Sequence, residues 1–190
     1  VSSAPALQLI REAKAQGLAV TCDTATYHLL FDDSQLLDFD SNYKVNPPLR
    51  TPEDQWALLN GLADHTIDVL VSNHLPQDPE SKNVAFDQAA FGMNVLEHNF
   101  ALINQVLRSN PKLQLEQLIE KITHRPREIL HLPLARIEEG ERANFTIFDP
   151  EINWSLEKGQ SRSMNNPFIG RELIGKPCAL FNNGKFQKIL

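Results

Sequence analysis

Two apolar runs, LAVTCDTAT (18–26) and TIDVLVS (66–72), carry polar side chains within or just after them. In parallel α/β folds, chemistry gathers at the C-terminal ends of strands. That rule selects Asp23 and His28 as residues after the first strand, and Asn73, His74 and Gln77 after the second. A carboxylate and an imidazole there could exchange protons or ligate a metal, whereas Asn and Gln can only hydrogen-bond. The spacing does not decide between these roles. The six histidines, His28, His65, His74, His98, His124 and His131, form no HxH or HExxH pattern and no cluster with Cys. Spacing alone therefore offers no metal site. The plainer reading of each is a surface or satisfied core side chain. No GxSxG, P-loop or GxGxxG occurs, and Glu138-Glu139-Gly140-Glu141 reads as a solvated turn. Pro47-Pro48 reads as a rigid loop.

Elements must hold those side chains in place. Residues 5–16 have apolar positions at 7, 10 and 13, with Pro5 near the start and Gly17 past the end, which predicts a helix. Thr51 and Asp54 frame a cap for a second helix from Pro52 to about Leu62. The runs at 18–26 and 66–72 read as buried strands, the second β-branched and ending in Asn73-His74. Residues 31–50 are irregular, because the consecutive prolines forbid a helix. A loop to about Gly92 precedes helices at roughly 94–108, 114–122 and 125–131. Strand, helix, strand with near-continuous apolar strands means a parallel sheet. After Pro133 the pattern turns to short strands and turns, with Asn183-Gly184 a hairpin signal.

The chain has 190 residues, is 42% hydrophobic and 22% charged, and holds 12 Pro and 8 Gly. That excludes a disordered tail, a collagen-like fibre and a disulfide scaffold. Its 18 basic and 24 acidic residues leave a formal charge of -6, so neither nucleic acid nor an acidic membrane is an expected partner. No apolar run approaches the ~20 residues that span a bilayer, and the N-terminus does not read as a signal peptide. Cys22 and Cys178 lie far apart, which suits a reducing cytoplasm. Two parallel strands cannot form a stable α/β core by themselves, so the chain reads as the last part of a larger protein.

Four segments resemble one family. VSSAPALQLIREAKAQGLAVTCDTATYHLL, NYKVNPPLRTPEDQWALLNGLADHTIDVLVSNHLPQDPESK, FDQAAFGMNVLE and RANFTIFDPEINW together look like the C-terminal half of a dihydroorotase. The resemblance is to the long, multifunctional-complex type within the amidohydrolase superfamily. It implies an α/β fold: the C-terminal part of an amidohydrolase-type TIM (β/α)8 barrel over residues 1–133, then a small β-sandwich segment over 134–190. It also implies a place in pyrimidine biosynthesis, where the family closes N-carbamoyl-aspartate to dihydroorotate. In the family, zinc polarises a carbonyl and activates water while an Asp at the end of the eighth strand shuttles the proton.

The departures bear on that chemistry. The family's D-H-A-P-H reads Asn73-His74-Leu75-Pro76-Gln77 here, so an amide stands where the resemblance places the catalytic Asp. Asn can serve neither as a carboxylate base nor as an anionic zinc ligand. Gln77 replaces a His that the family uses near substrate. The strand-seven T-P-H-H-L reads with Thr26 at the proline, beside Tyr27-His28-Leu29. The chain starts at Val1-Ser2, one residue after the His of the family's H-V-S motif, and the family's HxH metal motif is absent. What matches is Asn46 in the N-P-P-L-R loop, which contacts substrate in the family, and the Phe91-Gly92 turn. The expected substrate-side residues are thus Asn46, His74, Gln77, Phe91 and Gly92, with no metal ligand. The expectation is an inactive, structural dihydroorotase-like protein of the cytoplasm, binding no zinc itself. Its expected partner is aspartate carbamoyltransferase, and it should self-associate or pair with a missing N-terminal half. The alternative is an active zinc enzyme whose metal-binding half lies outside this chain.

Overall fold

Local chemistry starts the helices where the sequence predicts them. The computed structural model describes residues 1–189, with α1 spanning Ala4–Ala15 and α2 Pro52–Ala63. Each has proline in its first turn, where a missing N–H costs nothing. Thr51 caps α2, its hydroxyl accepting the Asp54 N–H at 3.3 Å. Asp54 in turn accepts the Ala4 N–H at 2.7 Å, so the start of α2 caps the start of α1. The helices pack side by side, and a Cβ on Gly61 would come within 2.7 Å of Leu7.

Strands β1 (Asp23–Ala25) and β2 (Val69–Val71) pair in parallel, Thr24 opposite Leu70. Both are shorter than the apolar runs that announce them. The Cys22 carbonyl takes two N–H groups, from Asp68 and Val69, at the entrance to the ladder. Just before it, the Asp68 carboxylate accepts from the Cys22 N–H and the Lys14 ammonium, so side chains satisfy this backbone. From Thr26 the chain winds into a 3-10 turn (26–29) and leaves the ladder. Asp23 is consequently the exposed first residue of β1, not a group at its C-terminal end.

Four more helices follow: α3 (Pro79–Lys82), α4 (Asn99–Ser109), α5 (Leu115–Ile122) and α6 (His124–Ile129). The helix expected from residue 94 begins only at 99, after a 3-10 turn over 96–98. Asn94 is held instead by the 163–165 segment, its amide donating to the Ser163 carbonyl at 2.9 Å. After Pro133 the first strand begins at Phe145. Strands β3 (Phe145–Ser155), β4 (Glu172–Asn182) and β5 (Lys185–Lys188) form an antiparallel sheet in that order. The β4–β5 turn is the expected two-residue hairpin, with Asn183 and Gly184 both at positive φ. Among the described residues, no helix is long and apolar enough to cross a membrane.

Two apolar clusters lie inside. One joins α1, α2, β2, α4 and α5 through Leu7, Leu58, Leu62, Leu70, Ile103 and Leu118. The other joins β1 and the 3-10 turns to the antiparallel unit through Tyr27, Phe31, Tyr43, Met93, Phe168 and Leu173. Buried Asn104 of α4 fastens the sheet, donating to the Pro150 carbonyl at 2.8 Å and the Ile174 carbonyl at 2.9 Å. Asn104→Ala strands both acceptors and should cost about 2–3 kcal/mol. A urea titration should show the midpoint fall with an unchanged slope, and an unchanged midpoint would refute the clamp.

Candidate functional site

The polar residues after β2 converge with two distant loops. Asn73 sits at φ 45, a left-handed conformation that Asn tolerates better than most residues. That geometry turns its side chain to the 3-10 turn after β1. Asn73 Nδ2 donates to the Tyr27 hydroxyl at 2.5 Å and to the Asn46 backbone carbonyl at 3.3 Å. Burial pushes the Tyr27 phenol up to about 12, against the opposing effect of the Asn73 bond, so it stays protonated at neutral pH. Of Asn46, therefore, the bond to Asn73 uses the main chain.

His74 forms a parallel bridge to Met93, and its Nδ1 accepts from the N–H groups of Val95 and Leu96, both at 3.2 Å. This assigns the ring proton to Nε2 in the neutral form. Gln77 reaches the same neighbourhood from the other side, donating through Nε2 to the Phe91 carbonyl at 2.9 Å. Gly92 passes so close to Leu75 that a Cβ would stand 2.4 Å from its carbonyl oxygen, at φ 138. Residues 74–77 and the 91–96 segment are thus one hydrogen-bonded unit.

Two buried residues beyond the motifs hold that unit. Asn165 accepts the Gln77 N–H on Oδ1 and donates through Nδ2 to the Leu75 carbonyl, tying the β3–β4 connection to the site. Lys82, 4% exposed, donates to the carbonyls of Ala90 and Gly92. Burial pushes its ammonium down to about 8. Neither carried a sequence signal: Asn165 lies 88 residues from Gln77, and Lys82 is one lysine in a polar loop. Tyr27 was visible in the sequence only as a departure from T-P-H-H-L.

No family profile matches the chain. Curated relatives do. A dihydroorotase of Listeria monocytogenes serotype 4b is 38% identical over 186 residues, covering 97% of this chain and 44% of that protein. A dihydroorotase of Carboxydothermus hydrogenoformans is 39% identical over 195 residues, covering 100% of this chain and 45% of its own length. The chain is dihydroorotase-like. It spans under half the length of the curated relatives it matches. Among solved structures, an L-hydantoinase (dihydropyrimidinase) from Arthrobacter aurescens superposes on the whole chain with a TM-score of 0.88 at 24% identity, using 45% of its own length. The inactive dihydroorotase-like domain of a Chaetomium thermophilum CAD-like multifunctional protein superposes at 0.71 and 20% identity, over 98% of this chain and 49% of its own. These two likenesses establish an α/β fold shared with part of each of those proteins.

In this dihydroorotase-like chain the structure brings together Asn46, Asn73, His74, Gln77, Phe91 and Gly92, the residues selected from the sequence. It leaves out two others. His28 is 3% exposed, with its ring tilted against Tyr27 and Nε2 unpartnered, and burial holds its imidazole near 4. It is a neutral core histidine. Asp23 is exposed at the far end of β1, where its carbonyl accepts from the Val1 ammonium.

The donor chemistry does not suit a zinc ion. Asn73 presents a neutral amide whose nitrogen is spent on Tyr27 and Asn46, and His74 has Nδ1 engaged, leaving one imidazole nitrogen. Among the described residues, no three His, Cys, Asp or Glu side chains stand together, and a catalytic zinc takes about three protein ligands. What the cluster can do is hydrogen-bond.

Proposed function

We propose that this chain is a catalytically silent, structural dihydroorotase-like protein of pyrimidine biosynthesis. The observation that carries the reading is the Asn73 amide donating to Tyr27 and Asn46, at the position where the family resemblance places a proton-shuttling Asp. A carboxylate accepts; it cannot donate to a backbone carbonyl. The surroundings of Asn73 are therefore built for an amide.

In this reading residues 1–133 are the last units of a TIM-type barrel and 134–190 the C-terminal share of a β-sandwich, in a cytoplasmic protein. Asn46, His74, Gln77, Phe91 and Gly92 survive as the frame of a substrate site. Zinc belongs to the relatives and not to this chain. Aspartate carbamoyltransferase is the proposed partner. The three-residue strands β1 and β2 pair only with each other among the described residues, and two short strands are not a stable sheet. That supports a further polypeptide alongside them, a second copy or an N-terminal half.

The test is Asn73→Asp, assayed for dihydroorotate absorbance with and without added zinc. A positioned base is worth ~10²–10⁴-fold, but catalytic groups that act as a unit are not restored one at a time. The new carboxylate would also face the Asn46 carbonyl, 3.3 Å from the present nitrogen. We expect no turnover in either form and less than one zinc per chain after dialysis. Zinc-dependent turnover in the variant would overturn the silent reading.

A further inference from the structure

Beside the site, two loops form an exposed apolar surface set in a strongly acidic field. The first loop, 31–44, displays Leu37 and Phe39, 78% and 71% exposed. The second, 76–92, displays Val84 and Phe91, 45% and 48% exposed. The loops are in contact. The Phe39 ring meets Phe86 edge-on at 5.9 Å, and the Ser41 hydroxyl donates to the Lys82 carbonyl at 2.7 Å. Lys44 crosses between them, donating to the carbonyls of Phe86 and Asp87, with its ammonium 4.9 Å from the Phe91 ring centre.

Within the two loops acidic side chains dominate, and one arginine from outside them, Arg171, donates to the Tyr43 hydroxyl at 2.7 Å. The first loop carries Asp32, Asp33, Asp38 and Asp40. The second carries Asp78, Glu80 and Asp87. Seven carboxylates stand against two lysines, a formal -5 of the chain's -6. Neither lysine is available to a partner, since Lys44 and Lys82 both donate to main-chain carbonyls within the loops. An exposed apolar patch rimmed by charge marks an interaction surface, and its field selects the partner.

We infer that the 31–44 and 76–92 loops form a docking surface for a basic protein segment that carries apolar side chains. A second copy of the chain is the wrong occupant, because this face against itself sets seven carboxylates against seven. A basic segment would place Lys or Arg against the aspartates and seat its apolar side chains on Leu37, Phe39 and Phe91. The second loop also carries Gln77 and Gly92, so the docked segment would lie against the frame of the candidate site.

The experiment uses a fluorescent amphipathic helical peptide of Leu and Lys, titrated with the 190-residue chain and followed by anisotropy. A Ser/Lys peptide and a Leu/Glu peptide are the controls. Two multiple variants are compared, Leu37→Ser with Phe39→Ser, and Asp33→Asn with Asp38→Asn and Asp87→Asn. All five side chains are exposed, and urea midpoints check that both proteins fold. We expect the Leu/Lys peptide alone to bind, with affinity falling about tenfold or more in each variant and again between about 0.05 and 0.5 M salt. The inference is overturned if the Leu/Lys peptide fails to bind the unaltered chain, or if either variant binds it as tightly as the unaltered chain does. Equal binding of the Leu/Glu peptide would mean general stickiness and also overturn it. So would a concentration-dependent dimer that the Leu37/Phe39 variant abolishes, since a second copy would then cover the surface.

Discussion

Gly92→Ala should destabilise the protein by about 3 kcal/mol or more, combining a clash with a backbone that alanine does not adopt. The added Cβ would lie 2.4 Å from the Leu75 carbonyl oxygen and 3.0 Å from the Leu75 Cβ. Main chain is on both sides of that contact, so no rotamer change relieves it. The φ of 138 adds strain that a side chain carries whatever space it has. Nor is the backbone free to retreat. The Gly92 N–H donates to the Lys44 carbonyl at 2.9 Å, and its own carbonyl accepts from Lys82. Gly17→Ala is the control: φ there is 75, but nothing lies within 4 Å of the added Cβ. It should cost only about 1 kcal/mol, the strain without the clash. Equal urea midpoints for the two variants would show that the 73–77 and 91–96 segments are not packed as described. Because Gly92 backs onto Leu75, the same substitution should also loosen the Gln77–Phe91 bond and raise amide exchange across residues 73–77.

Acid should weaken the fold over a defined window. His28 and His98 are both buried, and burial lowers each imidazole from 6.5 to about 4. Both stay neutral in the folded protein while the unfolded chain takes up protons below about 6.5. The unfolded state therefore binds more protons between those values, and stability falls as the pH drops from about 6.5 to about 4. It levels off below that, once both states are charged at these sites. Each pKa unit is worth about 1.4 kcal/mol, so each histidine withdraws on the order of 3 kcal/mol across the window. His98 packs on Phe168, ring centres 5.0 Å apart, with both its nitrogens unpartnered. His98→Phe should keep that packing and remove its share of the acid sensitivity, roughly halving the loss of stability between pH 7 and pH 4. Urea midpoints at several pH values for both proteins would decide this. Parallel pH profiles, displaced by a constant, would mean that His98 titrates normally in the fold.

The sequence alone was enough for whatever depends on neighbouring residues. Thr51 before Pro52 starts α2, and Asn183-Gly184 turns β4 into β5, because caps and two-residue turns are decided by the sterics of a few adjacent residues. The β-branched run at 66–72 announced a strand, and the order of elements announced a parallel pair. The amide at position 73 was equally plain, and so was its lack of a carboxylate's chemistry. The resemblance to dihydroorotases was also legible, and the curated relatives agree with it.

Tertiary structure decided the rest, since it concerns backbone groups that find partners only when distant loops meet. The strands proved shorter than their apolar runs because Asp68 and the 3-10 turn at 26–29 take over the backbone at either end. His28 reads the same as a site residue or a core residue in one dimension, and burial made it the latter. Asn73 finds Tyr27 across 46 residues and Gln77 finds Asn165 across 88, separations at which no spacing rule operates. Lys82 is buried because the carbonyls of Ala90 and Gly92 turn inward and need a donor. Local propensity states which elements form; only their packing decides which polar groups are left facing one another, and that determines what the site can do.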